Sequence, residues 1–213
     1  LAFLPLVGFA SGILTVILVG VGPLFLFAGV VFGAVVAGYL VKVRVLRTED
    51  WAWVTVASGA AYFVSLFAAI KFQAALPGPG PVQPVTGQPE AMPSSLFLAG
   101  LIGGLLVVGT LLWLRREMGP GRVMIGSLIG ALTGGALGVL GGRLAPSFGT
   151  AVWRILHAFR MAGDTYRPDD PLGYGAANFD CSLFVVWQTG MAFVIALLLH
   201  EFIPIHKSKE SHP

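Results

Sequence analysis

The stretch "GSLIGALTGGALGVLGG", Gly126 to Gly142, sets glycine at 126, 130, 134, 138 and 142 and carries no charge along its length. In water a helical glycine costs about 1 kcal/mol relative to alanine, so a soluble helix has no reason to repeat it at every fourth position. Hydrocarbon changes the balance. Helices in lipid gain nothing by hiding apolar surface and associate through the close contact that small residues allow. The stretch therefore reads as a membrane helix against which something packs closely. Residues four apart advance about 400° around the axis, so the row follows the inclined i±4 ridge. A partner lying along it should cross right-handed, at about −40°. The row rises about 24 Å, most of the hydrocarbon thickness. Gly126, Gly130, Gly134, Gly138 and Gly142 are thus the expected packing interface, for another helix of this chain or for a partner protein.

Composition agrees with that environment. Hydrophobic residues make up 56% of the chain and charged residues 11%, against about 25% charge in an ordinary soluble domain. At roughly 20 apolar residues per crossing, 213 residues leave room for a single polytopic membrane domain and no separate soluble one. The net charge of +3 is small and dispersed, which argues against nucleic acid and makes the basic residues topology signals. Cys181 is the single cysteine, so no intrachain disulfide forms. Leu1 already lies inside an apolar run and no methionine precedes it; the expectation is that some N-terminal sequence, a signal peptide among the options, has been removed.

Helices are expected at about 1–20, 23–42, 51–71, 94–114, 123–144 and 182–203. The uncharged run Leu1 to Val41 is too long for one crossing, and "GVGP", Gly20 to Pro23, supplies the break; proline favours the first turn of the helix that follows. "WAW" at Trp51 places indoles at the headgroup level. Asp180 or Ser182 is a candidate N-cap for the last helix, and Pro204 follows its end. The proline-rich linker 76–93 should be extended and lie on the outer face. The outer loop 145–181 should contain a short amphipathic helix in the interface, because Val152, Ile155, Leu156 and Phe159 fall at i, i+3, i+4 and i+7 while Arg154, His157 and Arg160 occupy another face. The expected fold is an all-α integral membrane bundle of about six transmembrane helices plus that interfacial helix.

Basic residues set the orientation. Lys42, Arg44 and Arg47, then Arg115, Arg116 and Arg122, then Lys207 and Lys209 fall in one set of short segments, while Lys71, Arg143, Arg154, Arg160 and Arg167 are spread through longer ones. Density in short loops decides. Both termini are expected on the cytoplasmic side of a membrane, with the bacterial inner membrane the expected location.

Candidate chemistry is sparse. No ionisable residue falls at mid-depth of an expected span, where such groups mark transport or catalysis. Gln188 is the strongest polar residue inside a crossing; an interhelical amide bond and a ligand contact are its two readings. "HEFIPIH", His200 to His206, has the wrong spacing for HExxH, and no metal site is expected. No cofactor is indicated by a motif; a single axial contact from His157 or His200 to a haem or chlorin is the option the histidines leave open. Asp164, Asp169, Asp170 and Asp180 share the outer loop without the spacing of a calcium loop. Arg154 and Arg160 are candidates for lipid-headgroup contacts.

Two functions fit. The first is a noncatalytic integral membrane subunit that packs against other membrane proteins or itself, in contact with lipid and with room for a lipid or hydrophobic cofactor between helices. Small residues support it on most helices: Gly8 and Gly12; Gly29, Gly33 and Ala37; Ala57, Ala61, Ser65 and Ala69; Gly100 and Gly104. The second is a small transporter or substrate-capturing membrane component. A six-helix chain with both ends inside, carrying "GPLFLFAGVVFGAVVAGYL" at Gly22 to Leu40, is similar in outline to the substrate-binding components of energy-coupling-factor vitamin importers and their glycine-rich early helices. That likeness is architectural and carries no binding residues with it.

Overall fold

The computed structural model describes residues 1–19, 27–75, 93–115, 118–144, 147–148, 150–158 and 171–202, with the side chains of Val19, Thr150, Trp153, Leu156, His157, residues 171–181 and Phe202 outside that description. Over the described residues the chain is all-helical: α1 (Leu4–Val19), α2 (Ala28–Lys42), α3 (Asp50–Ala75), α4 (Pro93–Leu114), α5 (Pro120–Leu144), α6 (Thr150–Ala158) and α7 (Pro171–Phe202). Four segments are long and apolar enough to cross a membrane: α3, α4, α5 and the Ser182–Glu201 part of α7; α1 and α2 are apolar but shorter. The expected break at Gly20 to Pro23 and most of the proline linker lie outside the described residues, but Pro93 and Pro120 each open a helix. Proline suits that place because the first-turn N–H has no intrahelical partner to lose.

The helices close a ring in chain order. Each of α1 to α4 packs on the next, α5 packs on α7, and α7 returns to α1. Close approaches set the directions. Gly8 of α1 lies against Gln188 and Ala192 of α7, whereas Gly12 lies against Val185, so those helices run antiparallel. The same logic holds for Gly29 and Gly33 of α2, which meet Tyr62 and Ser58, then Ser58 and Thr55, on α3. At these contacts hydrogen replaces a side chain, and the backbones approach until dispersion contacts run along both helices. Phe32, Val36, Leu40, Val107, Leu111, Met191, Ile195 and Leu199 fill the inside.

At one end of the ring, α2 stops in a Schellman motif. Arg44 N–H donates to the Val41 carbonyl at 2.9 Å and Val45 N–H to the Leu40 carbonyl at 2.8 Å, which satisfies carbonyls the helix leaves open. Arg44 has φ 59°, a left-handed position that glycine usually fills. The Arg115 guanidinium, just past α4, donates to the Val45 carbonyl at 2.7 Å. That bond ties the α2–α3 turn to the α4–α5 turn.

The last helix differs from its expected start. α7 begins at Pro171, eleven residues before Ser182, so neither Asp180 nor Ser182 is an N-cap. Ser182 instead donates its hydroxyl to the Gly141 carbonyl of α5 at 2.6 Å. Cap preference is a local signal, and here the serine makes a tertiary bond. The short helix expected in the outer loop is α6, which packs on α7 with Val152 buried and Arg154 and Ile155 exposed.

Candidate functional site

The glycine row of α5 meets α4 of the same chain. A methyl group built on Gly104 would collide with the Gly130 carbonyl, and one on Gly100 with the Gly134 carbonyl. Gly138 continues the line, 2.5 Å from the Leu96 carbonyl oxygen to the position its Cβ would take. Carbonyls of one helix therefore stand where side chains of the other would begin. Gly126 is buried and Gly142 half-buried at the ends of the row. The opposite side of α5 presents Met124, Ile125, Leu128, Ile129 and Leu132 outward.

Gln188 joins α7 to α1. It is 2% exposed; its Oε1 accepts from Ser11 Oγ at 2.7 Å and its Nε2 donates to Thr15 Oγ1 at 3.0 Å. Both amide atoms are used, as burial of a primary amide requires. This is an interhelical clamp, seated beside Gly8 and Gly12. Sequence reasoning singled out Gln188 but missed Ser11 and Thr15. The signal was present: Gly8, Ser11, Gly12 and Thr15 fall at i, i+3, i+4 and i+7, a small and polar stripe on one face of α1.

One step around α7 from Gln188, Trp187 turns into the ring. Its indole meets Phe32 of α2 edge-on, with centroids 5.6 Å apart. One turn earlier Phe184 faces Tyr62 of α3 at 6.3 Å. Neither α2 nor α3 is a ring neighbour of α7, so these aromatics bridge the interior. Phe32 is buried, whereas Tyr62, Phe184 and Trp187 keep part of their surface accessible.

The benzo edge of Trp187 borders Gly103 of α4: a Cβ there would lie 3.2 Å from Trp187 Cζ2 and 3.2 Å from Ser65 Oγ of α3. Ser65 donates its hydroxyl to the Ala61 carbonyl at 2.7 Å. Two polar side-chain atoms among the described residues are buried without a hydrogen-bond partner, Trp187 Nε1 and Thr189 Oγ1. A helical threonine hydroxyl such as that of Thr189 can reach a carbonyl of its own helix by a change of χ1. An indole N–H has no such local acceptor. Leaving a donor unpaired in an apolar interior costs about 1–3 kcal/mol.

The remaining candidates lie apart from this interior. His200 is exposed on the last turn of α7, and Arg154 is exposed on α6. Arg160 and the carboxylates Asp164, Asp169 and Asp170 lie outside the described residues, as do the side chains of His157 and Asp180. Among the described residues no three His, Cys, Asp or Glu side chains gather where a metal ion could be held. The structure thus brings Gln188 near the ring interior and places His200 and Arg154 elsewhere. Trp187, Phe32 and Gly103 were not singled out in the sequence. A tryptophan inside an apolar span, away from the headgroup belts where indoles collect, is the cue that points to them.

No protein-family model, curated protein or solved structure matches the chain. The outline likeness to vitamin-importer components therefore gains no family from these comparisons.

Proposed function

We propose that this chain is a membrane-embedded binding component, a noncatalytic ring of spanning helices that captures a small, mainly apolar molecule in its interior. The observation that carries this reading is the bridging aromatic set in which Trp187 and Phe184 of α7 meet Phe32 of α2 and Tyr62 of α3, helices that are not ring neighbours of α7, with Tyr62, Phe184 and Trp187 still partly accessible. Ligand sites in helical proteins form between helices from apolar and aromatic walls with few polar groups. The glycine stripes bear on the competing reading. They are occupied by helices of this chain, so they lend a partner interface no support.

The second reading, a subunit of a larger membrane complex or a self-associating protein, draws on the outward apolar face of α5. In lipid that face needs no protein cover. For orientation, we place both termini on the cytoplasmic side of the bacterial inner membrane. Lys42, Arg44, Arg47, Arg115 and Arg122 lie in or directly beside the two turns joined by the Arg115 to Val45 bond, which supports the assignment through the density of basic charge in short loops.

Native mass spectrometry of the protein extracted gently from its own membrane, with absorbance recorded, tests the function. A single copy of the chain carrying a non-lipid small molecule is the expected result. A larger assembly with defined co-subunits and an empty interior would overturn it in favour of the second reading.

A further inference from the structure

The end of the ring where Arg115 binds the Val45 carbonyl also gathers four cations without a carboxylate partner among the described residues. Lys42, Arg44 and Arg122 are exposed and Arg115 is half-buried. The ion pair at this end joins Arg47 to Glu49 at 3.3 Å, and Asp50 opens α3, where the helix dipole favours it. Two of the four cations stand where the backbone disfavours them. Arg44 takes the left-handed position that ends α2, φ 59°, which suits glycine, and Arg122 lies in the first turn of α5, where the dipole repels positive charge. The density that orients a membrane chain is met by a cation anywhere in a short loop, so it does not account for these two positions. Indoles mark the depth: Trp51 and Trp53 at the start of α3 and Trp113 at the end of α4 are exposed at the same end, as residues at the headgroup level are. The cations therefore stand at the level of the lipid phosphates.

We propose that the α2–α3 and α4–α5 turns together form a site for the headgroup of an anionic phospholipid, drawing Lys42 and Arg44 from the first turn and Arg115 and Arg122 from the second. The bond to Val45 carries the Arg115 guanidinium across to the residue that follows Arg44, so the two turns are held as one surface. A guanidinium carries more donors than one carbonyl takes, and its planar fork matches a phosphate. A zwitterionic headgroup would bring a cation of its own into this cluster, whereas phosphatidylglycerol brings only the negative charge. Basic sites between spanning helices select anionic lipid on this ground. The proposal requires that the chain lie in a membrane and is independent of whether the ring interior takes a ligand.

The test offers the full chain in detergent either dioleoylphosphatidylglycerol or dioleoylphosphatidylcholine, and reads retention of the first lipid by native mass spectrometry beside the melting temperature. The expected outcome is a roughly tenfold preference for the anionic lipid and a larger rise in melting temperature with it. Arg44→Gly is the deciding variant. It keeps the Schellman bonds and should melt above the wild type without lipid, but its preference should fall about fivefold. A merely structural Arg44 would not give that crossed result. Arg122→Gln should lose the preference to a similar extent. Arg154→Gln removes an exposed cation from α6, which follows the far end of α5, and should leave the preference unchanged. Equal retention of the two lipids by the wild-type chain would overturn the proposal. So would a preference that survives both Arg44→Gly and Arg122→Gln, or one that falls equally with Arg154→Gln.

Discussion

Gly104 and Gly130 face each other across α4 and α5 with the Gly130 carbonyl occupying the place a Cβ on Gly104 would need. Substitution here acts on backbone position, which cannot yield as a flexible side chain can. Gly104→Val or Gly134→Leu should destabilise the purified protein by about 3 kcal/mol or more, beyond ordinary overpacking, because the helices must separate. Gly121 of the same α5 has nothing within 4 Å of its Cβ position. Gly121→Ala should be neutral or stabilising by up to about 1 kcal/mol. Thermal unfolding in detergent compares the variants, and equal effects at the two positions would refute the packing account.

The Ser11–Gln188–Thr15 clamp allows a coupling measurement. Gln188→Leu removes both interhelical bonds, but the two hydroxyls can turn back to carbonyls of α1. A double-mutant cycle with Ser11→Ala should give a coupling of about 0.6 kcal/mol, and at most about 1.7, the range seen for hydrogen bonds between membrane helices. Zero coupling in denaturant titrations would mean the 2.7 Å bond adds nothing net.

Arg44 occupies a left-handed position without being glycine. Arg44→Gly should stabilise the fold by roughly 1 kcal/mol, since it relieves the Cβ contact and keeps the Schellman bonds. Arg44→Ala keeps the Cβ and should show no such gain. The pair of melting temperatures separates backbone strain from loss of charge.

Orientation can be read chemically in a Cys181→Ser background. Arg47→Cys should react with an impermeant maleimide only in inside-out vesicles, and Lys71→Cys only in intact cells. The reverse pattern would invert the topology assigned from basic-residue density.

Much of the helical order was legible because each span must satisfy its backbone internally and stay apolar over its length, which leaves a trace in every window of sequence. α3, α4 and α5 start within three residues of their expected positions. The start of α7 was not legible, since Asp180 and Ser182 offer local caps and the competing bond from Ser182 to Gly141 depends on a helix forty residues away in sequence. The glycine row showed that close packing was needed and was silent about the partner, because a small residue records that something approaches and not what. Gln188 was visible as a lone amide in an apolar run. Trp187 offered a cue as an indole inside an apolar run, but its missing partner is a property of three-dimensional surroundings that no spacing encodes.

The ring is closed by α1 against α7, the first and the last of these helices to leave the ribosome. The stripe of Gly8, Ser11, Gly12 and Thr15 is therefore synthesised early and covered late, after α2 to α5 have been made. During that interval its two hydroxyls have only their own helix to bond. Arrest of translation before α7 therefore leaves an open arc whose free edge is the surface that completes the ring.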